Sequence, residues 1–290
     1  MPPKPAHPPL TPPLKWAGGK RWLVPQLRQL HDLVQPPRLV EPFCGGLSVA
    51  LGLQPSQALL NDLNPHLINF YQQLRSGLTP SLKYRYQENL FYHYRDRFNQ
   101  LIDNQKSQTP EAAELFYYLN RSGFNGLCRF NRSGHFNVPF GRYSNINYRQ
   151  DWSPFQNLLK TWQFTCQDFA TLPLQPTDFI YADPPYDVEF TQYSPTPFSW
   201  EDQVRLVNSL ANHPGPVILS NQLTDRIHDL YQNAGYQLYP LNAPRRISCT
   251  GDRSPAREVL AIRNLDPEYT NRCGLRKHAQ SSTSTRRLSD

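Results

Sequence analysis

Thr177-Asp178-Phe179-Ile180-Tyr181-Ala182-Asp183-Pro184-Pro185-Tyr186 is the stretch whose reading decides the fold. Its Thr177 to Ala182 part is apolar and β-prone, which predicts a buried strand. Two prolines then end the strand, because proline fixes φ and has no N–H to offer a neighbour. In an open α/β sheet, ligands gather outside the carboxyl ends of the strands. The turn therefore sets a carboxylate, a rigid carbonyl and an aromatic face at the mouth of a cleft. A conjugated amino group is a poor nucleophile, since its lone pair is delocalised. A carboxylate and a carbonyl that both accept from such an NH2 draw the nitrogen toward tetrahedral geometry, while a tyrosine ring stacks on a planar base. Asp183, Pro184, Pro185 and Tyr186 are thus the candidate catalytic residues. The same four residues also suit an ordinary strand-to-loop turn, where Asp and Pro are common.

Upstream, Leu14-Lys15-Trp16-Ala17-Gly18-Gly19-Lys20 precedes an amphipathic helix with Leu23, Leu27 and Leu30 at helical spacing. Glycines ahead of a helix let a ligand approach its N-terminus, or merely turn the chain into it. Arg38-Leu39-Val40-Glu41-Pro42-Phe43-Cys44-Gly45-Gly46 predicts a short strand breaking into a glycine turn, with a short helix from Ser48 to Leu53. Strand, glycine turn and helix form the nucleotide-binding unit of doubly wound sheets. The full Gly-x-Gly-x-x-Gly pattern is absent, so a pyrophosphate is not implied. Ala58-Leu59-Leu60-Asn61-Asp62 predicts a second strand, ending in an acid where such folds hold ribose hydroxyls. An adenosine-containing cofactor without phosphates fits both features. Asp62 alternatively caps the helix that begins near Pro65.

Between residues 76 and 150 the texture changes. Two helical patterns are expected, one through Leu82, Leu90, Tyr94, Phe98 and Leu101, the other capped by Thr109-Pro110 and running to Leu119. Beyond them, Arg129-Phe130-Asn131 and His135-Phe136-Asn137-Val138 flank Arg132-Ser133-Gly134, which predicts a β-hairpin. Arginines and asparagines interleave with aromatics here, and those side chains pair with guanine and adenine edges in a major groove. This segment holds ten Lys/Arg against five Asp/Glu, so it is basic as a unit. A solvated basic hairpin would look similar.

The α/β pattern then resumes. Trp162 to Gln167 predicts a strand ending at Asp168-Phe169, and Ser199-Trp200-Glu201-Asp202 a capping box before a helix with Val204, Val207 and Leu210 inward. Pro216 to Ser220 is a further strand, leading to a helix from about Thr224 to Ala234. Tyr236 to Leu241 and Glu258 to Arg263 form an antiparallel pair around a basic loop with Arg245, Arg246 and Arg253. Residues 1–13 are a proline-rich disordered lead, and 266–290 a disordered basic tail.

Composition narrows the class. The chain has 290 residues, 12% of them aromatic, and a net charge of +7. That supports a substantial core and an anionic partner, nucleic acid first. Cys44, Cys128, Cys166, Cys249 and Cys273 are scattered with no metal-ligand spacing, so no metal and a reducing, cytoplasmic compartment are expected. No apolar run reaches the length of about 18 residues that a membrane span needs.

With all segments in view, the chain resembles the Dam-type DNA adenine-N6 methyltransferases across about residues 13 to 264. The resemblance rests on five motifs in that family's order: Trp16-Ala17-Gly18-Gly19-Lys20, Glu41 to Gly46, Asn61-Asp62-Leu63-Asn64, Asn120 to Tyr143, and Asp183-Pro184-Pro185-Tyr186. It implies an α/β fold, a doubly wound seven-stranded methyltransferase sheet. Residues 14–75 and 151–265 would form the catalytic domain, with an inserted, mainly helical recognition domain at 76–150 carrying the hairpin. It implies S-adenosylmethionine as cofactor, lined by Trp16, Lys20, Phe43, Gly45, Asp62, Asp168, Phe169 and Asp183. It implies double-stranded DNA as partner, met by Lys15, Asn125, Leu127, Arg129 and Asn131, with Arg142 the candidate for a phosphate contact and GATC the implied site. The target adenine would be flipped out of the duplex. A monomer with no membrane association is expected. Leu47 departs from the pattern, standing where many members carry a third glycine. RNA or protein-glutamine amino-methyltransferases share a similar catalytic turn but have no evident need of the Arg/Asn hairpin. A catalytically silent DNA-binding relative would be expected to lose Asp183 or Tyr186, and both are present.

Overall fold

Short apolar runs can be buried on both faces of a sheet, and four such runs form its centre. A computed structural model describes residues 10–187, 198–243 and 256–277. Among them, seven strands make one sheet: β1 (Leu39–Glu41), β2 (Ala58–Asn61), β3 (Trp162–Thr165), β4 (Phe179–Ala182), β5 (Val217–Gln222), β6 (Gln237–Ala243) and β7 (Ala256–Arg263). Their order is β3-β2-β1-β4-β5-β7-β6, and β7 runs antiparallel to both of its neighbours. The remaining pairings are parallel.

Alternation within each strand divides the core. Leu39, Leu60, Phe179, Tyr181 and Ile218 join one apolar cluster; Val40, Leu59, Ile180, Ala182, Val217 and Leu219 join the other. Helices α1 (Val24–Val34), α2 (Ser48–Leu53) and α3 (Pro65–Arg75) cover the first face. Two later helices, α7 (Trp200–Ala211) and α8 (Asp225–Asn233), cover the second. Ser199 and Asp202 form the expected capping box of α7. Leu206 joins Val207 and Leu210 on its buried face, while Val204 is only half-buried.

The segment between β2 and β3 carries α4 (Glu88–Asp103), α5 (Pro110–Ser122) and then α6 (Ser153–Leu159). Phe91, Phe98, Phe116 and Leu119 merge with the core under α3, so this segment shares the first face's core rather than owning one. Leu82 precedes α4 instead of belonging to it. Its amide, with that of Ser81, donates to Glu114 Oε1 at 2.7 and 2.8 Å, and that buried carboxylate ties the loop to α5. The hairpin forms: Asn131 N donates to His135 O at 2.9 Å, Asn137 N to Arg129 O at 3.2 Å, and Phe130 pairs with Phe136. Asn99 of α4 pins it, accepting from Phe136 N at 2.9 Å and donating to Phe136 O at 3.2 Å.

The disordered tail expected from residue 266 is corrected over its first part. Asp266 caps α9 (Pro267–Arg272), accepting from Glu268 N at 2.8 Å. Thr270 meets the Tyr239 hydroxyl at 2.9 Å, and Cys273 and Leu275 are buried in the first core. A polar composition concealed three buried positions at 270, 273 and 275. Residues 1–9, the loop bearing Arg245, Arg246 and Arg253, and the tail beyond 277 lie outside the described residues. Among the described residues, no helix is long and apolar enough to cross a membrane.

Candidate active site

β1 lies between β2 and β4, so the chain leaves its carboxyl end in one direction and returns on the other side. Such a switch point opens a crevice. The glycine turn after Glu41 and the Asp183 turn after Ala182 face each other across it. Gly45, with φ +42°, and Gly46 lie under the Trp16 indole: a Cβ on Gly45 would stand 2.6 Å from Trp16 Nε1, and one on Gly46 2.7 Å from Trp16 Cβ. Only glycines admit this contact. Leu47 takes the third position in the left-handed region, φ 57° and ψ 27°, with its side chain fully buried. The backbone cost of about 1–2 kcal/mol for an L-residue there is offset by burial of a leucine, roughly 1.5–3 kcal/mol.

Asp62, at the end of β2, is tied to this turn. Its Oδ2 accepts from Gly45 N at 3.1 Å and its Oδ1 from Asn64 N at 2.9 Å. The helix cap is a different residue: Asn64 Oδ1 accepts from His66 N at 3.0 Å and Leu67 N at 3.2 Å. With one backbone donor on each oxygen, the Asp62 carboxylate retains lone pairs for a diol. Burial pushes its carboxyl up from the usual range, and the two amides oppose that. Phe43, Phe169 and Phe198 form an aromatic trio with centroids 5.5 to 6.0 Å apart. Asp168 beside it is forked by Arg205 at 2.6 and 2.9 Å, which holds its carboxyl below the usual range. Glu41 is buried, its carboxyl raised by burial, and its Oε1 has no partner. A diol acceptor, an apolar aromatic wall and an orphaned buried acceptor together fit an adenosine bearing an amino acid.

Asp183 is held from two sides. Lys20 Nζ donates to its Oδ2 at 2.9 Å and Ser220 Oγ to its Oδ1 at 2.7 Å. Lys20 is only 3% exposed and also donates to Gly18 O at 2.8 Å. Its Nζ lies 4.7 Å from the Tyr186 ring centroid. The Tyr186 hydroxyl donates to Glu258 Oε2 at 2.7 Å. Pro184 is buried and Pro185 exposed, and the Pro185 carbonyl accepts from Gln203 Nε2 at 2.8 Å. The structure therefore brings Trp16, Lys20, Phe43, Gly45, Asp62, Asp168, Phe169, Asp183 and Tyr186 to one crevice along the strand ends.

The residues expected to meet DNA occupy the adjoining segment. Lys15 N donates to Asn120 Oδ1 at 2.8 Å, its Nζ to Arg121 O at 2.9 Å, and the ammonium sits 3.3 Å from the Tyr143 ring centroid. Asn125 is exposed in a left-handed conformation, φ 53°, beside Phe124, itself 47% exposed. Leu127 is half-buried. Arg129 folds onto the opposite strand of the hairpin, with Nε on Asn137 Oδ1 at 2.8 Å. Asn131 gives its carbonyl to the hairpin's own loop, accepting from Ser133 N at 3.0 Å and His135 N at 2.9 Å. Arg142 is exposed.

The sequence model of the D12 class N6 adenine-specific DNA methyltransferases matches residues 16–247. The chain belongs to that family. It is 35% identical over 266 residues to the retron Ec67 DNA adenine methylase of Escherichia coli, covering 86% of this chain and 90% of the relative. Against the DNA adenine methylase of Vibrio cholerae it is 35% identical over 267 residues, covering 86% and 94%. Against that of Escherichia coli strain K12 it is 34% identical over 273 residues, again covering 86% and 94%.

Several residues that build this methyltransferase's crevice escape a reading by motif. Ser220 stands one residue beyond Leu219, the partner of Ala182 in the parallel register, so it is level with Asp183. Its signal was a pair of polar residues, Ser220-Asn221, inside a buried strand. Gln203, Arg205 and Glu258 carried no signal, because each lies on an element read only for its apolar face.

Proposed function

We propose that this adenine-specific DNA methyltransferase uses S-adenosylmethionine to methylate N6 of adenine within GATC in duplex DNA, on a base rotated out of the helix. The observation that carries this reading is Asp183 at the switch point, fixed by Lys20 and Ser220, with the Tyr186 ring beside it. When bound, S-adenosylmethionine supplies an electrophilic methyl group. Asp62 would hold its ribose hydroxyls, the aromatic wall of Phe43, Phe169 and Phe198 would face its adenine, and the unpartnered Glu41 Oε1 would be an acceptor for its polar groups. Tyr186 stacks on the target base, while Asp183 and the Pro184 carbonyl accept from its amino group and localise the nitrogen lone pair. Asp183 need not be a strong base, since the amine becomes acidic only once substituted. Positioning supplies most of the rate.

Sequence reading belongs to the hairpin. Arg129 can exchange Asn137 for O6 and N7 of a guanine, the fork that a guanidinium matches best. The test is transfer of labelled methyl to defined duplexes. The wild type is expected to label GATC far above one-base variants, and Asp183→Ala to lose turnover while cofactor binding falls much less. Near-normal methylation by Asp183→Ala would remove Asp183 from the chemistry.

A further inference from the structure

We propose that Glu258 is a positioning residue for the transfer step, holding the Tyr186 ring against the flipped base through the phenol. The inference rests on the transfer reading above. β7 runs against the other strands, so its first half lies at the carboxyl end of β5: Glu258 pairs with Gln222 in one direction and Leu241 in the other. A side chain from this reversed strand thereby reaches a crevice otherwise built from parallel strand ends. Its side chain is 11% exposed, and its Oε2 takes the Tyr186 hydroxyl at 2.7 Å.

The geometry explains what the contact does. A tyrosine ring on a loop after two prolines is free to turn about two side-chain torsions, and stacking needs both fixed. One end of Tyr186 is set by the backbone of the Asp183 turn. The far end is pinned by a charge-assisted hydrogen bond into the rigid sheet, the stronger class of such bonds. Burial, followed by the nearby Asp183 and Glu258 charges, pushes the phenol up from its ordinary range, so it stays a donor. Glu258 also stands 4.0 Å from Lys20 Nζ. Lys20 thus faces two carboxylates, with Asp183 the nearer.

The experiment is a double-mutant cycle on the full chain, with kcat and KM measured on a GATC duplex for Glu258→Ala, Tyr186→Phe and the pair. Each single variant is expected to lose kcat by about 10- to 100-fold, the scale of a hydrogen bond to a charged group. The KM for cofactor should change little, and the double variant should be no worse than the weaker single. Glu258→Gln keeps an acceptor for the phenol and is expected to recover most of the rate. Losses that multiply in the double variant, or a glutamine variant as slow as the alanine one, overturn the proposal. Tyr186→Phe breaks the link without touching β7, so an unchanged kcat there overturns it even where the alanine variant does not fold. A wild type that transfers no methyl to DNA defeats the transfer reading itself. A competent wild type with all variants at full rate defeats only the role of Glu258.

Discussion

The Gly45 amide donates to Asp62 Oδ2 at 3.1 Å, so the glycine turn after β1 and the end of β2 are one unit. Asn64, not Asp62, caps α3, which separates the two residues' roles. Asp62→Ala is expected to weaken S-adenosylmethionine by about 1–3 kcal/mol and also to lower the melting temperature, since the Gly45 and Asn64 amides lose their acceptor. Asn64→Ala is expected to lower stability by about 0.5–2 kcal/mol, the usual loss of a helix cap. Titration calorimetry and thermal melts of both variants check the pair. Equal cofactor affinity in Asp62→Ala would leave the carboxylate with only its structural hydrogen bonds.

On the proposed reading, Lys15 is expected to make DNA binding sensitive to pH. Burial, and after it the charge of Arg121, lower its ammonium from 10.5 to about 8. The unfolded chain keeps this proton up to the ordinary value, so it binds more protons than the folded chain between those two values. Stability from this group therefore rises with pH across that window, and below it the full cost of the buried charge is present. DNA affinity should run the other way, falling as pH rises through about 8 and the ammonium is lost. The comparison is Lys15→Gln, whose DNA affinity is expected to be weaker at neutral pH and flatter above it. An identical pH profile in both proteins would exclude Lys15 from the DNA interface.

Arg129 and Arg142 should separate in a specificity assay. Arg129→Ala is expected to lose most of the preference for guanine at one position, about 1–3 kcal/mol of discrimination, with variant sites falling much less. Arg142→Ala is expected to slow all duplexes alike, since a phosphate contact carries no sequence information. Values of kcat/KM on GATC and on duplexes with each outer base changed decide the matter. Uniform loss in Arg129→Ala would reduce the hairpin to a docking element and turn attention to Lys15.

The buried segment that follows α9 gives a stability test. Leu275 is 4% exposed within the first core, and Leu275→Ala is expected to cost about 2–5 kcal/mol. Denaturant unfolding of the purified variant measures it. An unchanged midpoint would mean that the segment after residue 266 adds nothing to the fold.

What the sequence reveals here follows from which physical rule each element obeys. β1, β2, β4 and β5 are apolar runs closed by turn residues, and α1 repeats leucine at helical spacing, so their existence and type can be read directly. The fragments α6 and α9 are seven and six residues long, too short for a period to show. Motif order brings Trp16, Asp62, Asp183 and Tyr186 into one reading. Pairings such as Ser220 with Asp183 or Glu258 with Tyr186 stay hidden, because a period gives a side chain's face and not its partner across the sheet. Asn131 illustrates the limit in reverse: a residue that suits base recognition by type has its carbonyl committed to a turn.

β2 and β3 are adjacent in the sheet, with Ala58 opposite Trp162, although α3 to α6 intervene in the chain. Closing a loop of about 100 residues rather than about 10 adds roughly 2 kcal/mol of entropy. Nothing local repays that until α4 and α5 have packed on α3. β3 should therefore dock late on the refolding pathway, and so should β1 against β4, whose pairing of Leu39 with Phe179 closes a still longer loop. Pulse-labelled hydrogen exchange is expected to protect the amides of residues 237–243 and 256–263, which pair over short separations, before those of 162–165. A refolding chain would in that case hold the outer half of its sheet before the switch point, and the catalytic turn beside it, is assembled.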